Sequence, residues 1–169
     1  MIRKIINVNW INHAFWTAAA VTIALFCAKL LGLAEFYWAP ISAIIVMQST
    51  LGQAWDTSKH RLIGTVIGAL FAGAYSAVFT EVSTLMFGLS VFVLGIVCAL
   101  LRLTVSAYRL GGVTFAIIML MNHNEVAWRI GVDRIIEVST GICAALLVSA
   151  IGPRSPFMRM PKERRLEHR

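Results

Sequence analysis

Charged residues are scarce in this sequence, and acidic residues are scarcer than basic ones. Only 14% of the 169 residues are charged, against about a quarter in a typical soluble domain. Hydrophobic residues make up 59% of the chain, and the mean hydropathy is +0.78. A chain with so few polar residues cannot form a mostly polar surface in contact with water, which excludes an ordinary soluble domain. We therefore expect an all-α integral membrane protein with one membrane domain over residues 1–153.

Motifs of catalytic chemistry are also missing. Cys27, Cys98 and Cys143 lie singly in apolar stretches, without CxxC or Cys/His spacing, which argues against a disulfide framework or a metal site. No phosphate-binding loop can be recognised, and no nucleophile stands beside a base. The sequence therefore predicts no enzymatic activity, no cofactor and no bound metal.

What the sequence does contain is six apolar segments, which we interpret as six short transmembrane α-helices. A spanning helix needs about 20 residues, and several segments reach or approach that length. The alternation typical of a membrane β-barrel is absent, so helices are the expected spanning structure. The first segment is too long for the apolar part of a signal peptide, and we expect it to be retained. The segments are 11–33, 38–51, 62–79, 85–101, 110–121 and 132–151.

Basic residues predict the orientation of these helices. With six spans, most lysines and arginines fall on the side of the membrane that also holds both termini. The positive-inside rule places that side in the cytoplasm. Residues 154–169 form a basic cytoplasmic tail, which we expect to bind anionic lipid headgroups rather than nucleic acid.

An internal repeat relates the two halves of the chain. A shift of 73 positions places Arg61 on Arg134 and Gly68 on Gly141. The half-repeats, about residues 11–79 and 85–151, would each hold three helices and lie inverted in the membrane, as in many secondary transporters. Helix breakers, Pro40 and Gly111-Gly112, interrupt matching segments, which points to a binding site there. A proline in the first turn of a helix is the alternative explanation for Pro40.

Three stretches carry a family resemblance. They are Tyr37-Trp38-Ala39-Pro40-Ile41-Ser42 with its continuation to Gly52, then Arg61-Leu62-Ile63-Gly64-Thr65-Val66-Ile67-Gly68-Ala69, and finally Asp133-Arg134-Ile135-Ile136-Glu137 with its continuation to Gly141. Together they resemble the fusaric acid resistance / aromatic acid exporter family of bacterial inner-membrane proteins. The resemblance implies export of weak organic acids, often aromatic carboxylic acids. Larger members carry two such membrane domains, which suggests a homodimer for this shorter chain.

Glycines and isolated charges within the helices are the first candidate functional residues. Gly64, Gly68 and Gly141 give two helices small faces that permit close packing, or that line a pathway. Lys29 and Arg102 lie near helix ends, where they either extend to the headgroups or attract an anion. From the stretch that carries the resemblance, we add Trp38 and Gln48 as pathway residues.

Arg134 and Glu137 are the candidates with the most specific predicted role. The uncharged run 138–151 is too short to span a bilayer, so its helix must extend back through both residues. Their spacing of three residues favours an ion pair, which would be structural. Alternatively, Arg134 attracts a substrate carboxylate and Glu137 accepts a coupling proton. Arg61, which occupies the place of Arg134 in the first half, is a further candidate pathway residue.

These patterns favour a transporter that exports small organic anions, with proton coupling as an added expectation. An anion channel of the same architecture is one alternative. A membrane scaffold subunit without a substrate of its own is another. We expect the protein in the bacterial inner membrane as a homodimer, with a small organic anion and membrane lipids as its other partners.

Overall fold

The computed structural model describes residues 8–48, 50–79, 83–121 and 126–152. Within these ranges the chain forms six α-helices and no strand, which confirms the predicted all-helical class. The basic tail and most of the segment before α1 lie outside the described residues. The helices are α1 (Val8–Leu30), α2 (Trp38–Val46), α3 (Leu51–Val78), α4 (Thr84–Leu100), α5 (Val105–Leu120) and α6 (Ala127–Ile151).

Helix length divides this set. Three helical stretches of the described chain are long and apolar enough to cross a membrane: Trp10–Leu30, Leu51–Val78 and Ala127–Ile151. α4 and α5 are apolar but shorter, at 17 and 16 residues. α2 has 9 residues, a rise of about 14 Å at 1.5 Å per residue, roughly half of a hydrocarbon core. The expectation that 38–51 forms one spanning helix is therefore wrong.

Local capping explains why α2 ends early and α3 starts early. Met47 takes an extended backbone conformation and closes α2. Thr50 is also extended, and its side-chain oxygen accepts a hydrogen bond from the backbone N–H of Gln53 at 3.3 Å. A threonine in that position satisfies one of the unpaired N–H groups at a helix start. The polar stretch 52–60 thus becomes the beginning of α3 rather than the loop that hydropathy predicts.

The starts of α2 and α6 test two further predictions, one about Pro40 and one about the charged residues of the last helix. α2 begins at Trp38, so Pro40 lies in the first helical turn, where proline is tolerated. This supports the simpler explanation of Pro40. α6 begins at Ala127, and its helix runs through Arg134 and Glu137. The prediction that this helix extends back past its charged residues is confirmed.

Glycines set how the helices pair. Gly64 packs against Ala107 and Gly111 of α5, and Gly68 packs against Gly111 and Thr114. As the residue number increases along α3, the number of the contacted residue in α5 also increases, so the two helices run parallel. A Cβ at Gly64 or Gly68 would overlap backbone atoms of α5, so only glycine permits this approach.

A second parallel pair joins α2 to α6. Gly141 packs against Ala39 and Ser42. Further along the same pair, the Ser149 hydroxyl lies 3.4 Å from the sulfur of Met47. As at α3 and α5, a Cβ on the glycine would overlap a backbone carbonyl of the shorter helix.

The buried apolar residues form two separate clusters. The α1/α2/α6 cluster contains Ala20, Ala43 and Val148, and it reaches α3 at Ala54. The α3/α4/α5 cluster centres on Phe115, whose ring stacks on Phe87 at 5.5 Å, and it reaches α6 at Ile130. Both long helices, α3 and α6, therefore pass from one cluster to the other.

Candidate functional site

Buried charges occupy the crossing between the two apolar clusters. On α3, Arg61 lies between Ala54 of one cluster and Ala69 of the other. On α6, Arg134 and Glu137 lie between Ile130 and Ile142 in the same way. Arg61, Arg134 and Glu137 are only 4%, 2% and 1% exposed. We call these residues, together with Glu35 and Trp38 that contact them, the charged layer.

Arg134 is the best-satisfied member of the charged layer. Its Nη1 donates to Oε2 of Glu137 at 3.2 Å, and its Nη2 donates to Oε2 of Glu35. The guanidinium carbon lies 4.3 Å from the centre of the Trp38 ring, within cation–π range. Two carboxylates and an aromatic face thus hold one cation. The local ion pair predicted from the spacing of Arg134 and Glu137 is confirmed.

Glu35 and Glu137 connect the α1–α2 turn to α6. The backbone N–H of Glu35 donates to Oε1 of Glu137 at 3.2 Å, and the indole N–H of Trp38 donates to Oε2 of Glu35 at 3.0 Å. Both oxygens of Glu137 therefore accept hydrogen bonds, as a buried carboxylate requires. The turn is fixed to the middle of the molecule by polar contacts rather than by apolar packing alone.

Arg61 has a much poorer environment than Arg134. Its Nη2 donates to the hydroxyl of Ser42 at 3.3 Å, and it repels Arg134 electrostatically. In the part of the chain that the structure describes, no carboxylate forms an ion pair with Arg61. Its buried Nε also has no hydrogen-bond partner there. A buried guanidinium left in this state is costly, and an anion that accepted from Nε would remove that cost.

The formal charges of the layer balance. Arg61 and Arg134 contribute two positive charges, while Glu35 and Glu137 contribute two negative ones. Arg129 and Asp133, on the preceding turn of α6, add one charge of each sign. An additional anion would therefore leave the layer with an excess negative charge in a medium of low dielectric constant. A bound proton or the departure of a carboxylate would restore the balance.

Comparison with known families gives this arrangement a context. The model of the family described as fusaric acid resistance protein-like matches residues 23–148. This chain belongs to that family. No curated protein and no solved structure matches the chain significantly. The matched range includes the whole charged layer, from Glu35 to Glu137. Family membership and apolar helices make this fusaric acid resistance protein-like chain a multi-pass membrane protein, and they support an efflux-related transport role.

The structure brings only some of the predicted pathway residues together. Arg61, Arg134, Glu137 and Trp38 meet in the charged layer. Lys29 is exposed in the last turn of α1, with its Nζ 5.3 Å from the centre of the Phe36 ring. Placement of Lys29 at a helix end agrees with extension toward the headgroups.

The other two predicted pathway residues lie elsewhere. Arg102 is exposed in the turn between α4 and α5, with a positive φ of 55°. Gln48 follows α2, and its amide nitrogen donates back to the carbonyl of Ile45 at 3.1 Å. The structure thus gives neither residue a contact with the charged layer. The packing role of Gly64, Gly68 and Gly141 is the one that the contacts support.

Two members of the site cannot be found from the sequence. In the sequence, Glu35 resembles an ordinary loop carboxylate, and Ser42 resembles a small residue of an apolar helix. The sequence offers one weak signal for Glu35, its spacing of three residues from Trp38. In the structure the two side chains are hydrogen-bonded. The contact of Glu35 with Arg134 joins residues 99 positions apart, and no local pattern predicts it. No group of three or more potential metal ligands occurs among the described residues.

Proposed function

We propose that this protein exports small organic monocarboxylates and that their carboxylate binds at Arg61. The observation that carries the proposal is the buried Arg61 side chain, whose Nε has no partner among the described residues. Guanidinium groups recognise carboxylates through charge-assisted hydrogen bonds. Polar residues buried in membrane proteins commonly mark substrate pathways. Membership in the fusaric acid resistance protein-like family supports efflux as the direction.

The second element of the proposal is coupling to protons through Glu137. Its carboxylate is among the most deeply buried side chains of the described chain and is paired with Arg134. Protonation of Glu137 would cancel the charge that an incoming carboxylate adds to the layer. Gly64 occupies the place of Glu137 in the first half of the repeat. The acid thus breaks the symmetry between the halves, as a coupling residue could.

We further propose that the fold consists of two inverted repeats, with the swapped glycine contacts as support. Gly68 of the first half packs on Gly111 and Thr114 of the second. Gly141 of the second half packs on Ala39 and Ser42 of the first. The glycines correspond through a shift of 73 positions and their partners through a shift of 72. In each case one partner follows the other by three residues.

Assembly and location complete the proposal. We place the protein in the bacterial inner membrane as a homodimer with both termini cytoplasmic. The basic tail would lie against anionic headgroups. The prevalence of closed symmetric dimers among protein assemblies supports a second copy of this chain. Light scattering in mild detergent should give the mass of two chains plus bound detergent, and a monomer alone would contradict the dimer.

Flux measurements test the transport proposal directly. Protein in liposomes should move benzoate, and an imposed pH gradient should drive it. Arg61→Met should abolish the flux, whereas Arg102→Met, which removes an exposed arginine, should not. Current driven by voltage without proton coupling would indicate an anion channel. Absence of flux with benzoate and with aliphatic monocarboxylates would favour a scaffold subunit.

Glu137→Gln tests the coupling step separately. The amide keeps the size of the side chain, but its single carbonyl oxygen can replace only one of the two carboxylate oxygens, so it accepts either from Arg134 or from the N–H of Glu35. We expect benzoate exchange to persist while its response to the pH gradient disappears. Flux that follows the pH gradient as in the unmodified protein would exclude Glu137 as the coupling group.

A further inference from the structure

The α1–α2 turn inserts a carboxylate into the charged layer. Residues 31–37 connect the two helices, and Glu35 lies within them. Oε2 of Glu35 accepts from the indole N–H of Trp38 at 3.0 Å and also from Nη2 of Arg134. The backbone N–H of Glu35 also donates to Glu137. Glu35 therefore makes all of these contacts from the turn, outside the regular helices. The turn therefore delivers to Arg134 the same chemical group that the proposed substrate carries.

The surroundings of that carboxylate form a complete receptor. A guanidinium supplies charge and one N–H, the indole supplies a second N–H, and the face of the same indole lies against the guanidinium at 4.3 Å. Charge-assisted donors of this kind recognise carboxylates in general and do not require a particular chain. A free carboxylate that reached Arg134 would find the same donors once Glu35 had moved.

Exposure distinguishes the two carboxylates that Arg134 binds. The side chain of Glu35 is 21% exposed, whereas that of Glu137 is 1% exposed. Glu137 is also fixed within the long helix α6, but Glu35 is attached to a short connection that contains Gly32 at a φ of +65°. Of the two, Glu35 is the carboxylate that can leave Arg134 without disturbing a helix.

We infer that Arg134 is a second position for the transported anion beside Arg61, that Glu35 is the internal competitor for that position, and that the α1–α2 turn is a gate which the anion displaces. This inference rests on the proposed function, because it assumes that a monocarboxylate enters the charged layer. While the anion lies at Arg134, the departure of Glu35 keeps the charge of the layer unchanged and avoids the electrostatic cost of an added anion. While the anion lies at Arg61 with Glu35 in place, the proton on Glu137 offsets the added charge. The turn loses its connection to Arg134 while the anion is bound and recovers it after release.

A pair of isosteric variants tests the competition. Glu35→Gln and Glu137→Gln each remove one negative charge from the same guanidinium, but only the first removes the competitor. The measurement is the Kd of benzoate for the purified protein in detergent, by isothermal titration calorimetry. If Glu35 occupies Arg134 about nine-tenths of the time, its loss should tighten the apparent Kd about tenfold. Glu137→Gln should give a clearly smaller gain, because Glu35 remains in place.

Each other result of the titration has a definite meaning. An equal gain in both variants would show a general charge effect and overturn the gate. Benzoate binding by the unmodified protein without a gain in Glu35→Gln would overturn the gate and leave the proposed export standing. No binding by any of the three chains, together with no benzoate flux, would overturn both.

Accessibility of the turn gives a measurement that keeps Glu35 in place. Leu33 is half-buried and packs against the α1/α2/α6 cluster. In a chain whose native cysteines are replaced by serine or alanine, Leu33→Cys should react several-fold faster with a membrane-impermeant maleimide when benzoate is saturating. Equal rates with and without benzoate would overturn the gate even if Glu35→Gln failed to fold.

Discussion

Arg61 and Arg134 lie 73 positions apart on two long helices, and their partners are unequal. Arg134 has two carboxylates and an aromatic face, whereas Arg61 has a serine hydroxyl and a nearby positive charge. Both arginines are buried to a similar extent, but their different partners give them opposite effects on the stability of the fold. One completes a network that the fold needs, and the other is a buried charge that the described part of the fold leaves unpaired.

Paired substitutions at these arginines should separate stability from binding. Arg134→Met removes the cation that Glu35 and Glu137 share and should lower the free energy of unfolding by about 3–5 kcal/mol. Arg61→Met removes a charge without a carboxylate partner and should change stability by less than about 1 kcal/mol, or increase it. Unfolding in mixed detergent micelles measures both. A loss for Arg61→Met as large as that for Arg134→Met would make Arg61 a structural residue.

Sequence spacing reveals only the local part of this network. Arg134 and Glu137 are one helical turn apart, so their pairing follows from the helix itself. The pairing of Glu35 with Arg134 depends on how α2 packs along α6, which local spacing does not encode. The poor environment of Arg61 is equally hidden, because it depends on the absence of a carboxylate from neighbouring helices in the described chain.

At the scale of helices, glycine contacts determine which elements can approach one another. Gly68 faces backbone of α5 and Gly141 faces backbone of α2, whereas a Cβ added at Gly73, further along α3, would meet nothing within 4 Å. Small residues thus act only where a neighbouring backbone lies against them. The spacing of small residues identifies the faces of α3 and α6 that can pack closely. It does not identify the helix that packs against each face.

Alanine substitutions at these glycines should have opposite effects. Gly68→Ala and Gly141→Ala force two backbones apart and should each destabilise the protein by about 1–3 kcal/mol. Gly73→Ala is the matched control in the same helix, and it should be neutral or stabilising by up to about 1 kcal/mol because alanine favours helix. Thermal unfolding in detergent distinguishes them. Similar melting temperatures for Gly68→Ala and Gly73→Ala would refute the close approach of α3 and α5.

Helix boundaries show where hydropathy stops being informative. The stretch 52–60 is polar, yet Thr50 caps it and it continues into α3 without interruption. α2 ends at Val46 and α3 begins at Leu51, although the apolar segment predicted from the sequence extends to Leu51. Hydropathy reports which residues prefer lipid, whereas capping and backbone geometry decide where a helix begins and ends.

For the whole molecule, distribution of basic residues predicts the orientation in the membrane. Ala34→Cys, on the exposed α1–α2 turn, should react with an impermeant maleimide added from the periplasmic side of intact cells. Ser155→Cys, in the tail beyond the described residues, should react only after the membrane is permeabilised. These variants belong in a chain without native cysteines. Labelling of Ser155→Cys in intact cells would reverse the topology.

The parallel pairing of α2 with α6 and of α3 with α5 has a consequence for biosynthesis. The ribosome completes α1–α3 before α5 and α6 exist, so the first three helices emerge without the neighbours that cover their glycines and enclose Arg61. We expect them to stay beside the translocon or an insertase until the second half has been synthesised. Two polypeptides divided between Phe79 and Ser83 would face the same constraint, each being degraded when made alone and stable when made together.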